Sequence, residues 1–176
     1  MRASAIAVLA LLAQTAAAQW SGWDYENDRP KEEFKELEVK LPPYPADEEL
    51  VAFEAGAASA HRFYIDSKAL SIGEDGVVRY TLVVKTAGGS TNVTYEGIRC
   101  DLRQVKVYAS GRRDQTWVPS RNPQWTRITM QQANIHHGVL FGDYFCAGKT
   151  NKTPVARKEE ALDLLRYGDK RNQIRE

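Results

Sequence analysis

The stretch Gly73-Glu74-Asp75-Gly76-Val77-Val78-Arg79-Tyr80-Thr81-Leu82-Val83-Val84-Lys85 decides the fold of this chain. Residues 73–76 are typical of a tight turn, because Asp-Gly accommodates the positive φ angle that hairpin turns require. After the turn, apolar side chains recur at every second position, which predicts a strand with one buried face. The alternating positions are Val78, Tyr80, Leu82 and Val84.

Three further runs with β character flank this strand. Residues 63–66 precede the turn, residues 91–99 follow a second turn at Gly88-Gly89, and residues 105–109 come last. Runs of this kind, joined by glycine-containing turns, predict an antiparallel meander. Because such a sheet has an apolar side to bury, we expect a second layer to cover it.

Helical patterns near the C-terminus indicate what that second layer is. Thr153-Pro154 is typical of a helix start, with Thr as N-cap and Pro in the first turn, and Gly168 is a natural stop. A weaker helix is predicted over 130–144, where Gly138 costs about 1 kcal/mol relative to Ala. The sequence therefore predicts an α+β fold, an antiparallel β-meander of about four or more strands covered by one or two C-terminal helices.

The N-terminus has the pattern of a secretory signal. Met1-Arg2 is positively charged, residues 3–13 are apolar, and Ala16-Ala17-Ala18 precedes Gln19. A membrane anchor is the competing interpretation, but spanning a bilayer takes about 20 apolar residues. We expect cleavage between Ala18 and Gln19 and export to the periplasm, with no transmembrane segment left in the mature chain.

Export determines how the two cysteines are interpreted. Cys100 and Cys146 have no competing partner in the sequence, and an oxidising compartment favours a disulfide between them. A catalytic or redox thiol is the alternative, although the Cys-x-x-Cys spacing is absent. The disulfide would stabilise the fold by roughly 4 kcal/mol through loop closure.

Charge divides the mature chain into two parts. Residues 20–54 contain eleven acidic and four basic residues, whereas the chain from residue 55 onward contains twelve acidic and nineteen basic ones. We divide the sequence into a signal peptide (1–18), an acidic, Pro-containing arm (19–45), one α+β domain (46–168) and a charged tail (169–176). The arm either wraps across its own basic body or is exposed for docking, and residues 30–39 within it have the pattern of a short helix.

The composition excludes several classes of protein. With 43% hydrophobic and 27% charged residues, the chain is not collagen-like, of low complexity or wholly disordered. A formal net charge of +1 excludes a strongly basic nucleic-acid binder. Two cysteines are too few for a disulfide-dense scaffold, or for a structural zinc site without histidine.

The histidines are the first candidates for chemistry. His136 and His137 are adjacent, so on a helix their rings point about 100° apart and do not easily share a metal ion. His61 is far away in sequence, and a pair of Cys146 with His137 would need a free thiol. We expect no metal and no cofactor. A hydrolytic site that used one of these histidines would take Asp143 as its acid, six or seven positions further along the sequence.

Residues 110–127 form the candidate binding segment, because tryptophans alternate there with arginines. Indole rings stack on sugars or apolar partners, while guanidinium groups pair with carboxylates or phosphates. In an exported protein this combination suits an envelope glycan, an anionic lipid or a protein partner. The alternative is that both indoles are core residues of a hairpin. The candidate residues are Arg112, Trp117, Arg121, Trp125 and Arg127.

Several stretches resemble one family, the cryptic neisserial protein-like family of exported proteins from Gram-negative bacteria. The most specific stretch is Tyr95-Glu96-Gly97-Ile98-Arg99-Cys100. The others are residues 73–83, 92–94 and 106–109, Trp117, Trp125 and residues 144–146. The resemblance implies a periplasmic or outer-envelope location. It brings no catalytic residue with it, because the members of this family are not known as enzymes.

Two functions are compatible with these patterns. The first is a non-enzymatic interaction or structural domain of the cell envelope, stabilised by one disulfide. The alternative is a small envelope hydrolase or glycan-modifying enzyme that uses Asp143 with His136 or His137. We favour the first, because no set of residues in the sequence assembles into a recognisable active site.

Overall fold

An antiparallel sheet organises the computed structural model, which describes residues 34–55, 59–131, 134–148 and 150–168. Within these ranges eight strands form one sheet in the order β1-β2-β4-β5-β6-β7, with β3 paired to β4 and β8 paired to β6. The strands are β1 (Leu50–Phe53), β2 (Arg62–Asp66), β3 (Ser71–Ile72), β4 (Val77–Lys85), β5 (Thr91–Arg99), β6 (Gln104–Gly111), β7 (Trp117–Pro119) and β8 (Thr126–Arg127). A 3₁₀ turn, Asp47–Glu49, leads into β1.

The predicted meander is confirmed in its central strands. β4 and β5 pair along their whole length, with Tyr80 opposite Glu96. The turn before β4 forms as expected, because Gly76 has a φ of 72° and its N–H donates to the Gly73 carbonyl. A bulge between β5 and β6 lies beside Tyr95 and Glu96. The pattern did not predict β1, β3, β7 and β8, which have four residues or fewer and are too short to show a clear alternation.

The helices differ from the prediction in their starts. The first, α1 (Ile135–Val139), begins five residues later than predicted and continues as a π-helical turn, Leu140–Phe145. The predicted start of the last helix at Thr153-Pro154 is wrong. These two residues form β10, which pairs with β9 (Cys146–Ala147), and the Val155 N–H donates to the Phe145 carbonyl. The backbone is thereby held extended, and α2 (Lys158–Tyr167) begins at Lys158.

The end of α2 and the disulfide agree with the prediction. Gly168 follows the helix with a φ of 69°, and its N–H bonds to the Leu164 carbonyl. Cys100 and Cys146 are bonded, which ties the end of β5 to β9. The helical layer and one face of the sheet share a core that includes fully buried Tyr80 and Phe145. The α+β fold class is therefore confirmed.

The opposite face of the sheet is covered by an extended segment, residues 34–45, which we call the strap. It packs on Tyr95, Tyr108 and Ala109, with Val39 and Trp117 completing a small second cluster. The helix predicted over 30–39 does not form in residues 34–39, while residues 30–33 lie outside the described part of the chain. The signal peptide and charged tail also lie outside it. No helix in the described ranges has the length and apolar character needed to cross a membrane.

Candidate functional site

A buried carboxylate, Glu96, lies at the centre of a polar cluster with three hydrogen-bond partners. Its side chain points from β5 into the core beneath α1 and is only 3% exposed. It accepts hydrogen bonds from the Tyr80 hydroxyl at 2.8 Å and the Thr94 hydroxyl at 2.7 Å. Its third partner is His137, with 2.8 Å between the imidazole Nε2 and a carboxylate oxygen. The cluster fixes α1 to the sheet.

The hydrogen bonds keep this carboxylate ionised. Burial raises the pKa of Glu96, but the hydrogen bonds from His137, Thr94 and Tyr80 outweigh burial and hold that pKa below its ordinary value of 4.5. Burial and the neighbouring carboxylate raise the pKa of Tyr80 well above 10, so its hydroxyl remains a donor. A buried charge with three partners is satisfied rather than reactive.

His136 lies beside this cluster in an apolar position. Its ring stacks on Phe63 at 5.3 Å between centroids and lies 4.1 Å from the His137 ring. Burial, with a smaller contribution from His137, lowers the pKa of His136 to about 4, so it is neutral at pH 7. Among the described residues no group of three or more His, Cys, Asp or Glu side chains is arranged to hold a metal ion.

His137 is bonded to an acid that was not among the candidate residues of the sequence. The carboxylate bonded to His137 is Glu96, 41 positions earlier in the chain, whereas Asp143 is exposed. Cys146 offers no nucleophile, because it is in the disulfide. The signal for Glu96 was present in the alternation of β5. Thr94, Glu96 and Ile98 share one face of the strand, so a charged side chain points into the core.

The strap uses Glu36 and Phe34 to hold the other face of the sheet. The Glu36 carboxylate accepts hydrogen bonds from the Lys106 ammonium at 2.7 Å and the Tyr108 hydroxyl at 2.8 Å. Burial raises the pKa of Glu36, but these bonds and the nearby Trp125 indole bring it below its ordinary value. The Arg99 guanidinium lies 3.5 Å from the centre of the Phe34 ring.

The two candidate tryptophans, Trp117 and Trp125, pack against the strap. The Trp117 indole N–H donates to the Pro42 carbonyl at 2.8 Å, and its ring packs on Tyr44 at 5.4 Å between centroids. Trp125 packs edge-on against Phe34 and Tyr108. Its indole N–H, which makes no well-aligned hydrogen bond of its own, faces Glu36. Both indoles therefore act in packing within the molecule.

The candidate arginines lie apart from those indoles. Arg112, Arg121 and Arg127 are exposed, in the β6–β7 turn, in the loop after β7 and in β8. The structure does not assemble the five candidate residues of 110–127 into one surface. Of the five, Arg112 alone lines one of the larger clefts of the described residues.

This cleft, which we call the hairpin cleft, lies between the turn joining β4 to β5 and the turn joining β6 to β7. Its volume is about 790 Å³ and it is open to solvent. Neither the Arg112 nor the Arg113 guanidinium group donates a hydrogen bond within the described residues, and both arginines belong to the candidate segment 110–127. The lining residues are Tyr44, Gly89, Ser90, Thr91, Asn92, Gly111, Arg112, Arg113 and Gln115.

The most specific motif of the sequence serves both sides of the sheet. Tyr95 and Arg99 hold the strap side, while Glu96 and Ile98 lie in the core and Cys100 forms the disulfide. Gly97 is required because a Cβ atom there would lie 2.6 Å from the Tyr108 hydroxyl oxygen. Each position of residues 95–100 thus has a packing role, which makes the motif diagnostic of the whole fold.

Comparisons with known proteins cover most of the chain. The model of the CNP1-like family matches residues 29–166. A curated relative, Cryptic neisserial protein 1 of Neisseria gonorrhoeae, is 29% identical over an alignment of 133 residues, and the match covers 66% of this chain and 65% of the relative. The chain thus spans just under two thirds of that relative's length, and no solved structure matches it. The family match covers most of the chain, including both faces of the sheet, and the chain belongs to the CNP1-like family.

Proposed function

We propose that this protein is exported to the periplasm and acts there as a non-enzymatic binding domain. The N-terminal pattern of Met1-Arg2, an apolar run and Ala16-Ala17-Ala18 supports export. The disulfide between Cys100 and Cys146 supports it independently, because disulfides persist in oxidising compartments and are rare in reducing ones.

The hairpin cleft is the observation that carries the binding role. It combines two exposed guanidinium groups, of Arg112 and Arg113, with four polar side chains that make no hydrogen bond inside the described part of the protein. These four are Ser90, Thr91, Asn92 and Gln115. Polar groups that are already solvated and converge on one concave surface are suited to contact an outside ligand. The cationic lining favours a ligand or partner surface that carries negative charge.

The alternative, a small envelope hydrolase, has less support. It needs Asp143 together with His136 or His137, but His137 is bonded to buried Glu96 and His136 is neutral and stacked on Phe63. A hydrolytic site also needs a nucleophile or an activated water within reach of the base. The groups that surround Glu96 instead donate their hydrogen bonds to that carboxylate.

Export is tested by fractionating cells that express the full chain. We expect a periplasmic species whose N-terminus is Gln19 and whose two cysteines resist alkylation until they are reduced. An uncleaved chain in the cytoplasm, with both thiols alkylated directly, would refute the export proposal.

Binding is tested by photo-crosslinking in whole cells. A photoreactive residue at Asn92 lies in the hairpin cleft and leaves both arginines intact, whereas the same residue at Arg121 lies outside the cleft and serves as the control. We expect a discrete adduct from position 92 and a weaker or absent one from position 121. Equal adducts at both positions, or none at position 92 in the folded and oxidised protein, would contradict a binding role for the cleft.

A further inference from the structure

We propose that the hairpin cleft binds an acidic saccharide, an inference that rests on the proposed binding function and names its ligand class. The volume of about 790 Å³ lies within the range of roughly 300–1,000 Å³ typical of ligand sites. This space admits more than a single small ion. Because the cleft is open, a chain longer than the cleft can lie across it.

The two arginines provide the acidic part of the recognition. Guanidinium groups pair with carboxylates through two parallel hydrogen bonds, and an acidic sugar presents a planar carboxylate of that kind. Hydrogen bonds from Thr116, with a smaller contribution from the Arg112 guanidinium, lower the pKa of Asp114, so the acid of the same turn interacts with Arg112 but forms no hydrogen bond to it. The Asp114 carboxylate instead accepts hydrogen bonds from the Thr116 N–H at 3.1 Å and the Thr116 hydroxyl at 2.6 Å.

The remaining lining residues of the hairpin cleft are suited to contact the hydroxyl groups of the saccharide. Sugar hydroxyls both donate and accept hydrogen bonds, and so do the hydroxyl and amide side chains here. None of the nine lining residues is aliphatic, so the cleft offers no pocket for the apolar side chains of a peptide. Tyr44 adds an aromatic wall next to this polar surface. The side chains in question are Ser90, Thr91, Asn92 and Gln115.

Backbone geometry argues against a simple phosphate site. Phosphate sites commonly use several free backbone N–H groups that converge on the anion. In the hairpin cleft four of these donors are already used. The Gly89 N–H bonds to the Thr86 carbonyl, and the Ser90 N–H to the Thr86 hydroxyl, each at 3.0 Å. The Arg112 and Gln115 N–H groups are likewise bonded within their own turn.

Calorimetric titration of the full chain with three probes tests this inference. The probes are a trimer of galacturonic acid, a neutral trimer of galactose and inorganic phosphate. We expect the acidic trimer to bind at least about tenfold more tightly than the neutral trimer, because only it pairs with both guanidinium groups. We expect phosphate to bind more weakly than the acidic trimer.

Variants assign the binding to the cleft. The double substitution Arg112→Ala and Arg113→Ala should weaken binding of the acidic trimer by about tenfold or more, and Thr91→Ala should weaken binding of both trimers. Arg166→Ala, which removes a charge from an exposed position on α2, is the matched control and should change nothing. Melting temperatures confirm that each variant is folded.

The outcomes separate this inference from the proposed function. Three results would each overturn the acidic-saccharide assignment. They are no binding of the acidic trimer, binding of that trimer by the double variant as tight as by the wild type, or an affinity for phosphate equal to that for the trimer. A discrete protein adduct at Asn92 in cells, together with any of those results, would leave the binding function standing. Loss of both the adduct and the saccharide binding would remove the two proposals together.

Discussion

Gly97→Ala should destabilise the protein by about 2 kcal/mol through a single methyl group. A Cβ atom at this position would lie 2.6 Å from the Tyr108 hydroxyl oxygen and 2.9 Å from both the Tyr108 ring and a Val77 methyl group. Overpacking of this kind costs about 1–3 kcal/mol. The Tyr108 ring has to move to make room, which strains its hydrogen bond to Glu36 on the strap.

Urea denaturation followed by tryptophan fluorescence measures this loss. Thermal denaturation should show a fall in the melting temperature of about 4–8 °C for a loss of about 2 kcal/mol in a domain of this size. Gly142→Ala is the matched control, because a Cβ atom there meets nothing within 4 Å. It makes the same chemical change in open space and should leave the free energy of unfolding unchanged or slightly raised.

A double-mutant cycle tests whether the clash with Tyr108 causes the loss of stability in Gly97→Ala. If the clash with Tyr108 causes the loss, Gly97→Ala should cost markedly less in a Tyr108→Ala background than in the wild type. A Gly97→Ala protein as stable as wild type would refute the reasoning. So would an undiminished cost in the Tyr108→Ala background, since the source of strain would then lie elsewhere.

Three further predictions concern buried charge and the disulfide. The pKa of His136 falls from its ordinary value of 6.5 to about 4 on folding, so the unfolded chain takes up the proton first and stability is lost as pH falls from 6.5 to 4. His136→Phe, which keeps the stacking on Phe63, should flatten pH-dependent unfolding in that window, and an unchanged profile would exclude His136 as its cause. Cys100→Ser with Cys146→Ser should lower the free energy of unfolding by roughly 4 kcal/mol in urea titrations, and a loss below about 1 kcal/mol would contradict the loop-closure argument. Glu36→Gln should lower the free energy of unfolding by about 1–3 kcal/mol, because Lys106 is left partly buried without its partner. Tryptophan emission should also shift to the red, and unaltered emission would show that the strap does not depend on this ion pair.

The long strands were predictable from the sequence because every second side chain of a strand points to the same face, which gives an alternation of apolar and polar residues. Val78, Tyr80 and Leu82 lie on one face of β4, and that face is the core. The start of α2 was not predictable, because Thr153-Pro154 fits a helix start locally and only the pairing with Cys146 and Ala147 keeps it extended. Tertiary contacts thus overrode a local preference.

The candidate site was less predictable because its contacts join distant positions. Glu96 and His137 are separated by 41 residues, and no spacing rule connects a strand residue with a short helix. The strap has neither helical nor alternating periodicity, although Glu36, Phe34 and Pro42 each have a defined partner. The hairpin cleft combines two turns far apart in sequence, so Arg113 had no visible relation to Asn92.

The position of the strap in the chain dictates an order of assembly. Glu36 is synthesised 70 residues before Lys106, and Pro42 is synthesised 75 residues before Trp117. The strap therefore cannot dock until β6 and β7 have been synthesised. Closing so long a loop costs about 4 kcal/mol in chain entropy, which the contacts of the strap have to offset. The first of the described segments to be made is consequently among the last to be fixed. Its docking completes only on a sheet whose strands β6 and β7 are already in place.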